Sequence, residues 1–341
     1  MSEDPSRRLT PVVRLAPAKL NLTLAVLARR RDGFHDLHSV IVRLALADIL
    51  TLAPAPGASD TLHVEGLRPG PAGENIVLRA LAAARAGVGA GWAGSGTSGG
   101  GPTGPAAGPA PARAVRLEKR IPVAAGLGGG SSDAAAAIDG ALEAWGAELD
   151  AHVRLDIAAR LGSDVPFFLA GPAALIEGRG ERVRPLPAIV GPAPGVLLVT
   201  PSVPLLTAEV FAVFDAGARG GDPAATRASS VHLADELEAG LTTARLVERA
   251  GVLAVANDLA AAAASIEPGV LALRRGLTRV LRRPIGQSGS GPTLWSIYAS
   301  IDDAEEAREA VDRALEDGSL TSVGDRPPLV VATTIETEES E

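Results

Sequence analysis

The sequence predicts an α+β fold in two domains, and three observations lead to that prediction. Short runs of alternating apolar and polar residues, typical of antiparallel strands, lie between segments whose apolar residues recur at helical spacing. The chain has 341 residues, which is enough for two modest domains. Pro192 and Pro194 interrupt the pattern and mark a domain boundary. We therefore expect an N-terminal domain over residues 1–192 and a C-terminal domain over residues 193–341.

The first domain is expected to begin with strands. Residues 20–26 read LNLTLAV, in which large apolar residues alternate with small or polar ones, and they predict a half-buried strand. Asp32-Gly33 supplies a turn before a second strand. The later elements of this domain are predicted as strands at 40–52, 61–65 and 115–121, helices at 75–86, 132–145 and 150–161, and a hairpin of 173–176 with 182–186.

One segment of the first domain is predicted to lack regular structure. Of the 28 residues from 87 to 114, 14 are Gly or Pro, and such a composition predicts a flexible inserted loop. In the second domain, we predict strands at 196–200, 293–298 and 329–334, and helices at 207–216, 257–265, 268–282 and 302–317.

Charge and composition exclude several classes of protein. The net charge of -8 argues against nonspecific nucleic-acid binding, which needs a clustered basic face. The absence of cysteine excludes disulfides, thiolate nucleophiles and cysteine metal sites, and it is consistent with a reducing compartment. Charged residues near the N-terminus argue against a signal peptide, and the longest uncharged run is too poor in large apolar residues to span a membrane. We expect a cytoplasmic protein with a small-molecule partner, either a monomer or a homodimer.

The basic residues are unevenly divided. Of the 32 lysines and arginines, only Lys19 and Lys119 are lysine. A genome that favours arginine codons explains the abundance of arginine, so the two remaining lysines are the informative ones. Arginine's planar fork cannot replace a compact ammonium at a crowded anion-binding site without moving its neighbours, and at such a site Lys19 would have a reason to be retained. Lys119 is compatible with a solvated strand charge.

The most informative segment is PVAAGLGGGSSD over residues 122–133, between a predicted strand and a predicted helix. Its glycines allow backbone N–H groups to approach an anion, and the helix N-terminus adds partial positive charge. Ser131 and Ser132 add hydroxyl donors. The alternative is a flexible glycine loop with a serine cap. The segment has neither the Gly-Lys-Ser/Thr ending of a Walker A loop nor the spacing of a dinucleotide fingerprint.

Two further residues fit phosphoryl transfer to an alcohol. Asp164, in LGSDVPFF, could accept the proton of the hydroxyl, and Lys19, in APAKLNL, could keep that carboxylate ionised and contact the transferred group. The alternatives are a helix or turn cap for Asp164 and a solvated strand-edge charge for Lys19.

These motifs together resemble the GHMP kinase superfamily, whose phosphate motif reads Pro-x-x-x-Gly-Leu-Gly-Ser/Gly-Ser-Ser. With residues 32–37, DGFHDL, they are similar to the branch that phosphorylates 4-diphosphocytidyl-2-C-methyl-D-erythritol, and the resemblance extends from about Val13 to Tyr298. It implies an N-terminal domain like domain 2 of ribosomal protein S5 and a C-terminal ferredoxin-like α/β sandwich. It also implies transfer of the γ-phosphoryl group of ATP, as the magnesium complex, to the 2-hydroxyl of that substrate in isoprenoid biosynthesis.

The resemblance assigns roles to individual residues. Lys19 and Asp164 match the catalytic pair. The residues that match the ATP site are Pro122, Val123, Ala124, Ala125, Gly126, Leu127, Gly128, Gly129, Gly130, Ser131, Ser132 and Asn75. The residues that match the substrate site are Asn21, Phe34, His35, Phe211, Ser288 and Gly289.

Several of these residues have structural alternatives. Phe34 stands where the family usually has tyrosine, so it keeps a stacking ring without the hydroxyl, and it could equally be a turn aromatic packed on the core. Phe211 fits a helical core position, Asn75 a helix cap, and residues 287–293 any tight strand connection.

No histidine spacing indicates a metal site, so magnesium is expected from the phosphate chemistry alone. Two alternative functions remain: another small-molecule GHMP kinase, of the homoserine or mevalonate type, and a catalytically silent nucleotide-binding regulator.

Overall fold

A computed structural model of the protein describes residues 10–67, 75–94 and 110–337. Within these residues the chain forms two compact units, each built from separate stretches. The first unit comprises Met1–Ala16, Ala47–Arg120 and Gly129–Leu169, and the second comprises Pro17–Leu46, Ile121–Gly128 and Ala170–Glu341, so far as those stretches are described. The predicted boundary between residues 192 and 193 is a different division of the chain, and it stays a prediction.

The first unit packs helices against strands. The end of strand β3 (His35–Pro54) pairs antiparallel with β5 (Arg113–Lys119), which pairs in parallel with β4 (Thr61–Gly66). Helix α1 (Ile76–Gly94) packs against α2 (Gly129–Trp145) and α3 (Ala151–Leu161), and a short 3₁₀ turn follows at Pro166–Leu169. The buried faces consist of small and branched apolar residues, in keeping with their predicted helical and strand spacing.

The predicted loop over residues 87–114 was wrong at both ends. Helix α1 continues to Gly94, and β5 already begins at Arg113, while residues 95–109 lie outside the described residues. The helix continues because no proline interrupts it before Pro102. Gly87 also allows α1 to pack closely on α3. A side-chain carbon at this position would lie only 3.0 Å from Ile157 Cδ1 of α3.

The predicted half-buried strand over residues 20–26 was also wrong in two respects. Strand β1 (Val12–Asn21) ends before β2 (Ala25–Arg29) begins, and both faces of residues 20–26 are buried. Thr23 causes the interruption, since its Oγ1 accepts a hydrogen bond from Val40 N at 2.9 Å in place of a backbone partner. A side-chain bond of this kind cannot be identified from the alternation of residue types.

The second unit contains strand pairs and a separate sheet. The first half of β3 pairs with β2 and with β6 (Ala173–Gly178), and β6 forms the predicted hairpin with β7 (Arg182–Leu186). A four-stranded antiparallel sheet has the order β11-β8-β10-β9, with β8 at Gly195–Thr200, β9 at Gly286–Gln287, β10 at Leu294–Tyr298 and β11 at Leu329–Thr334.

Six helices complete the second unit. They are α4 (Thr207–Asp215), α5 (Pro223–Glu238), α6 (Thr243–Leu253), α7 (Ala260–Ile266), α8 (Pro268–Leu281) and α9 (Ile301–Glu316). Four of them were predicted, whereas α5 and α6 were not. Both carry N-terminal signals that could have identified them: Asp222 caps α5 ahead of Pro223, and Thr242 caps α6. No helix among the described residues is both long enough and apolar enough to cross a membrane.

Candidate active site

The predicted catalytic lysine lies in the second unit, near the end of β1. The Lys19 ammonium donates a hydrogen bond to Asn21 Oδ1, as expected for two residues that share one side of a strand. Asn21 Nδ2 in turn donates to Ser39 Oγ at 2.9 Å, and Ser39 Oγ donates to the Thr23 carbonyl at 2.5 Å. Lys19 and Asn21 are each 5% exposed. This chain of bonds holds the ammonium in one position, and Ser39 was not among the predicted residues.

The first part of the glycine loop, residues 122–128, also belongs to the second unit and packs closely on residues 287–291. Gly126 has a φ of +82°, and a side-chain carbon there would lie 2.2 Å from the Ser288 carbonyl oxygen. Only glycine fits at such a contact. Ser288 Oγ donates to the Gly126 carbonyl at 3.0 Å, and Lys19 N donates to the Leu127 carbonyl at 2.9 Å. Within this unit, the structure therefore brings Lys19, the first part of the glycine loop and Ser288 together.

Gly289 lies directly against the lysine. With a φ of +59°, it would place a side-chain carbon 3.1 Å from Asn21 Oδ1 and 3.2 Å from Lys19 Nζ. Asn257 holds this turn, since its Nδ2 donates to the carbonyls of Gln287 at 3.0 Å and Gly289 at 2.9 Å. The sequence analysis gave Asn257 no role. The position of an asparagine in a loop does not indicate that its side chain will bind carbonyl groups about thirty residues further along the chain.

The predicted aromatic residues form a cluster within the second unit. Phe34 is 50% exposed, so the alternative that its ring is packed on the core is wrong. The guanidinium of Arg179 lies 5.3 Å from the centre of the Phe34 ring. Phe211 is part of helix α4 and is partly buried, as the core alternative required, but it also stacks on His35 at 5.1 Å between ring centres.

His35 is held on three sides. Its ring lies at 20° to that of Phe211 and meets the edge of Phe214 at 6.1 Å between ring centres. Its Nε2 is 2.7 Å from Asp215 Oδ1, at the end of α4. Asp215 was not among the predicted residues. It lies four positions beyond Phe211, in a helix that was predicted from the spacing of its apolar residues, and that spacing gives no role to a polar residue.

The second part of the glycine loop opens helix α2 in the first unit. Gly129 and Gly130 form its first residues, followed by Ser131 and Ser132. Ser132 Oγ is buried, and it has no hydrogen-bond partner among the described residues. A buried unpaired hydroxyl at a helix N-terminus is an atom that a bound phosphate group or its cation would satisfy.

Asp164 lies in the turn between α3 and the 3₁₀ turn of the first unit, and it is half-buried. This turn is close to the start of α2, because a side-chain carbon on Gly162 would lie 3.8 Å from Ser131 Oγ. Asp164 belongs to the first unit and Lys19 to the second. Their action as a pair stays a prediction.

Lys119 has a well-defined environment, and the alternative that it is a solvated strand charge is wrong. It is 6% exposed, its ammonium contacts Asp48, and it donates to Asp133 Oδ2 at 2.8 Å. Asp48 Oδ1 also accepts from the Arg120 backbone at 2.5 Å. Burial raises the pKa of Asp133 to about 7, with Lys119 opposing this effect and Asp48 adding to it. Two buried carboxylates around one ammonium therefore favour the retention of a proton.

Asn75 caps helix α1, since its Oδ1 accepts from Val77 N at 2.9 Å. The structure thus assigns it the capping role, while contact with adenine stays a prediction. Among residues 10–67, 75–94 and 110–337, no group of three or more histidine, aspartate or glutamate side chains could hold a metal ion.

Comparisons with known proteins agree with these motifs. The model of the GHMP kinases N terminal domain matches residues 77–172. The 4-diphosphocytidyl-2-C-methyl-D-erythritol kinase of Pelotomaculum thermopropionicum is 34% identical over 86% of this chain and 92% of its own length. The enzyme of the same name from Paramagnetospirillum magneticum is 38% identical over 86% of this chain and 90% of its own length.

Solved structures extend the similarity to the fold. A crystal structure of 4-(cytidine 5'-diphospho)-2C-methyl-D-erythritol kinase is 30% identical and has a TM-score of 0.65, covering 94% of this chain and 99% of its own. A homoserine kinase from Cytophaga hutchinsonii has a TM-score of 0.62 at 15% identity, over 98% of this chain and 96% of its own. The second likeness shows the fold alone, and with the first it confirms the predicted two-domain α+β class.

Proposed function

We infer the function of this chain from its membership of a family: it belongs to the 4-diphosphocytidyl-2-C-methyl-D-erythritol kinases, a branch of the GHMP kinases. It is a phosphotransferase that uses ATP and phosphorylates an alcohol group. The acceptor is the 2-hydroxyl of 4-diphosphocytidyl-2-C-methyl-D-erythritol, an intermediate of isoprenoid biosynthesis. The observation that carries this proposal is the identity of 34% to 38% over 86% of the chain, and the lysine, glycine-loop and aspartate motifs of the sequence agree with it.

In the proposed reaction, Asp164 accepts the proton of the 2-hydroxyl as its oxygen attacks the γ-phosphorus of ATP. Lys19 supplies positive charge to the phosphoryl group during transfer. The bonds from Lys19 to Asn21 and from Asn21 to Ser39 support this role, since they hold the ammonium in place before the substrate binds. Preorganised charge of this kind costs little reorganisation at the moment of reaction.

The glycine loop is proposed to hold the phosphates of ATP. Residues 122–132 offer backbone N–H groups without side chains at the glycine positions, and α2 adds the positive end of its dipole. Magnesium would neutralise charge on these phosphates, and Ser132 Oγ, which is buried without a hydrogen-bond partner in the described part of the chain, fits a ligand to it. We further propose that the reaction takes place in the cytoplasm.

The aromatic cluster is proposed to hold the cytidine end of the substrate. The exposed ring of Phe34 offers a face on which a pyrimidine can stack, and His35 offers a polar edge beside it. Ser288 and Gly289, next to Lys19 and Asn21, are proposed to contact the sugar-alcohol end.

The proposal is tested with purified protein, ATP, magnesium and the erythritol nucleotide in a coupled assay for ADP. We expect Asp164→Asn to lower kcat by roughly 10²- to 10⁴-fold, as for removal of a general base, while ATP still binds. Asp156→Asn, on an exposed position of helix α3, is the matched control and should keep full activity. Near-normal turnover by Asp164→Asn would remove Asp164 from the mechanism.

The substrate is tested separately with a panel that includes homoserine and mevalonate, and with CMP as a competitor. We expect only the erythritol nucleotide to be phosphorylated, and CMP to compete with it. Phosphorylation of another alcohol without competition by CMP would overturn the choice of substrate.

A further inference from the structure

We propose that Asp215 is a positioning residue that makes this kinase select cytosine over uracil by fixing the tautomer of His35. The inference rests on the proposed function, because it assumes that His35 faces the pyrimidine. Asp215 lies outside all the sequence motifs that the family resemblance was based on.

The first step concerns the bond between the two side chains. Asp215 Oδ1 lies 2.7 Å from His35 Nε2. An ionised carboxylate only accepts hydrogen bonds, so Nε2 must carry the proton. In a neutral imidazole, one nitrogen donates and the other accepts. When the His35 ring is neutral, Nδ1 is therefore the accepting nitrogen, and it has no hydrogen-bond partner among the described residues.

The second step concerns the rigidity of the ring. His35 stacks on Phe211, meets the edge of Phe214 and is 8% exposed. All three partners, including Asp215, lie on helix α4 (Thr207–Asp215). A flip of the ring that exchanged Nδ1 and Nε2 would break the bond to Asp215. The helix therefore presents the acceptor in one fixed direction.

The third step concerns the ligand. Position 4 of cytosine carries an amino group that donates hydrogen bonds, whereas position 4 of uracil carries an oxygen that accepts them. A fixed acceptor at Nδ1 can accept a hydrogen bond from the amino group of cytosine. With uracil, the lone pair of Nδ1 would face the lone pairs of the oxygen at position 4. A buried acceptor that is left without its donor costs about 1–3 kcal/mol, which corresponds to roughly 5- to 150-fold in affinity.

Asp215 has a second charged neighbour, which provides a control. Arg29 Nε lies 3.6 Å from Asp215 Oδ2, and Arg29 is largely exposed. Arg29→Gln removes this ion pair while it leaves the carboxylate next to His35. A role of Asp215 in the ion pair alone would make Arg29→Gln and Asp215→Ala equivalent.

The experiment measures the affinities of CMP and UMP by calorimetry for wild type, Asp215→Asn, Asp215→Ala and Arg29→Gln. It also records the ¹⁵N shifts of the histidine ring nitrogens, which distinguish the two neutral tautomers and the imidazolium. We expect wild type to prefer CMP and to show the Nε2–H tautomer at His35. Both Asp215 variants should lose at least fivefold of the CMP/UMP ratio and show a changed His35 spectrum, and Arg29→Gln should retain both.

The outcomes separate this inference from the proposed function. If wild type binds neither nucleotide, the proposed function is wrong and this inference with it. If wild type prefers CMP and the folded Asp215 variants keep the ratio, only the role of Asp215 is overturned. An Nδ1–H tautomer or an imidazolium at His35 in wild type would overturn it as well.

Discussion

At the scale of single residues, the two lysines have different roles although they are the only two in the chain. Lys19 donates to an amide oxygen beside two glycine turns, where the ammonium is surrounded by groups that could face a substrate. Lys119 is surrounded by carboxylates and balances their charge in the interior of the first unit. The first environment suits binding of a phosphoryl group, and the second suits stabilisation of the fold.

We expect the substitution of each lysine by arginine to separate these roles. Lys19→Arg should lower kcat/KM on the order of a hundredfold, because the larger planar group displaces the charge from its position. Lys119→Arg should instead lower the free energy of unfolding by about 1–3 kcal/mol through overpacking of a buried site. Kinetics normalised to folded protein and urea denaturation measure the two effects. Equal losses of kcat/KM in both variants would show that Lys119 also acts in the reaction.

At the scale of elements, helix α2 connects two kinds of function. Its first residues are the end of the glycine loop that is proposed to hold phosphates. Asp133, which follows them, joins α2 to β3 and β5 through Asp48 and Lys119. The start of the helix is therefore attached to two strands by charged groups in a buried setting. This attachment depends on the protonation of Asp133, because burial opposes its ionisation.

Stability should consequently depend on pH through Asp133. Its pKa rises from 3.8 to about 7 on folding, so the folded state binds the proton more tightly than the unfolded state does. The contribution to stability is present below about pH 4 and is lost as pH rises toward 7, with a slope of at most about 1.4 kcal/mol per pH unit.

Asp133→Asn should remove the loss of stability that wild type shows as the pH rises, because the amide stays neutral at every pH. Urea unfolding of wild type and variant between pH 4 and 8 measures the difference between their slopes. Asp317→Asn, at an exposed position after α9, is the control and should follow wild type. Identical slopes for wild type and Asp133→Asn would contradict the assignment of the proton.

Elements with strong periodicity could be predicted from the sequence, and those shaped by single polar contacts could not. Strand β11 and the hairpin of β6 with β7 agree with prediction because alternation and turn residues determine them locally. The break after Asn21 depends on one Thr23 hydroxyl, and the support of Gly289 depends on Asn257, far along the chain. The motif residues of the candidate site could be named from local spacing, whereas Ser39, Asp215 and Asn257 enter only through tertiary contacts.

At the scale of the whole molecule, the two compact units do not follow the order of the chain. The main core of the second unit combines apolar residues from β1 and β3 with residues of β8 and β10, such as Leu20, Val42, Leu198 and Trp295. A division at residue 192 would separate these partners and expose one face of the four-stranded sheet. A second core, between that sheet and helices α8 and α9, would stay together.

We therefore expect an isolated fragment 193–341 to keep secondary structure but to lose its fixed packing. Trp295 is the only tryptophan in that fragment and is 2% exposed in the full chain, so its fluorescence reports the change directly. The fragment should show red-shifted emission and bind ANS. The reference is the full chain with Trp92→Phe and Trp145→Phe. A cooperative thermal transition with buried Trp295 in the fragment would instead support a domain boundary at residue 192.

The pairing of Leu44 with Ile335 also has a consequence for synthesis on the ribosome. These residues form a bridge, and Glu336 N donates to the Arg43 carbonyl at 3.0 Å. At about 5–20 residues per second, the early strand must wait roughly 15 to 60 s for its late partners. During this interval the apolar strand around Leu44 lacks the partner that the end of the chain will supply. Chaperones can bind the nascent protein during that time.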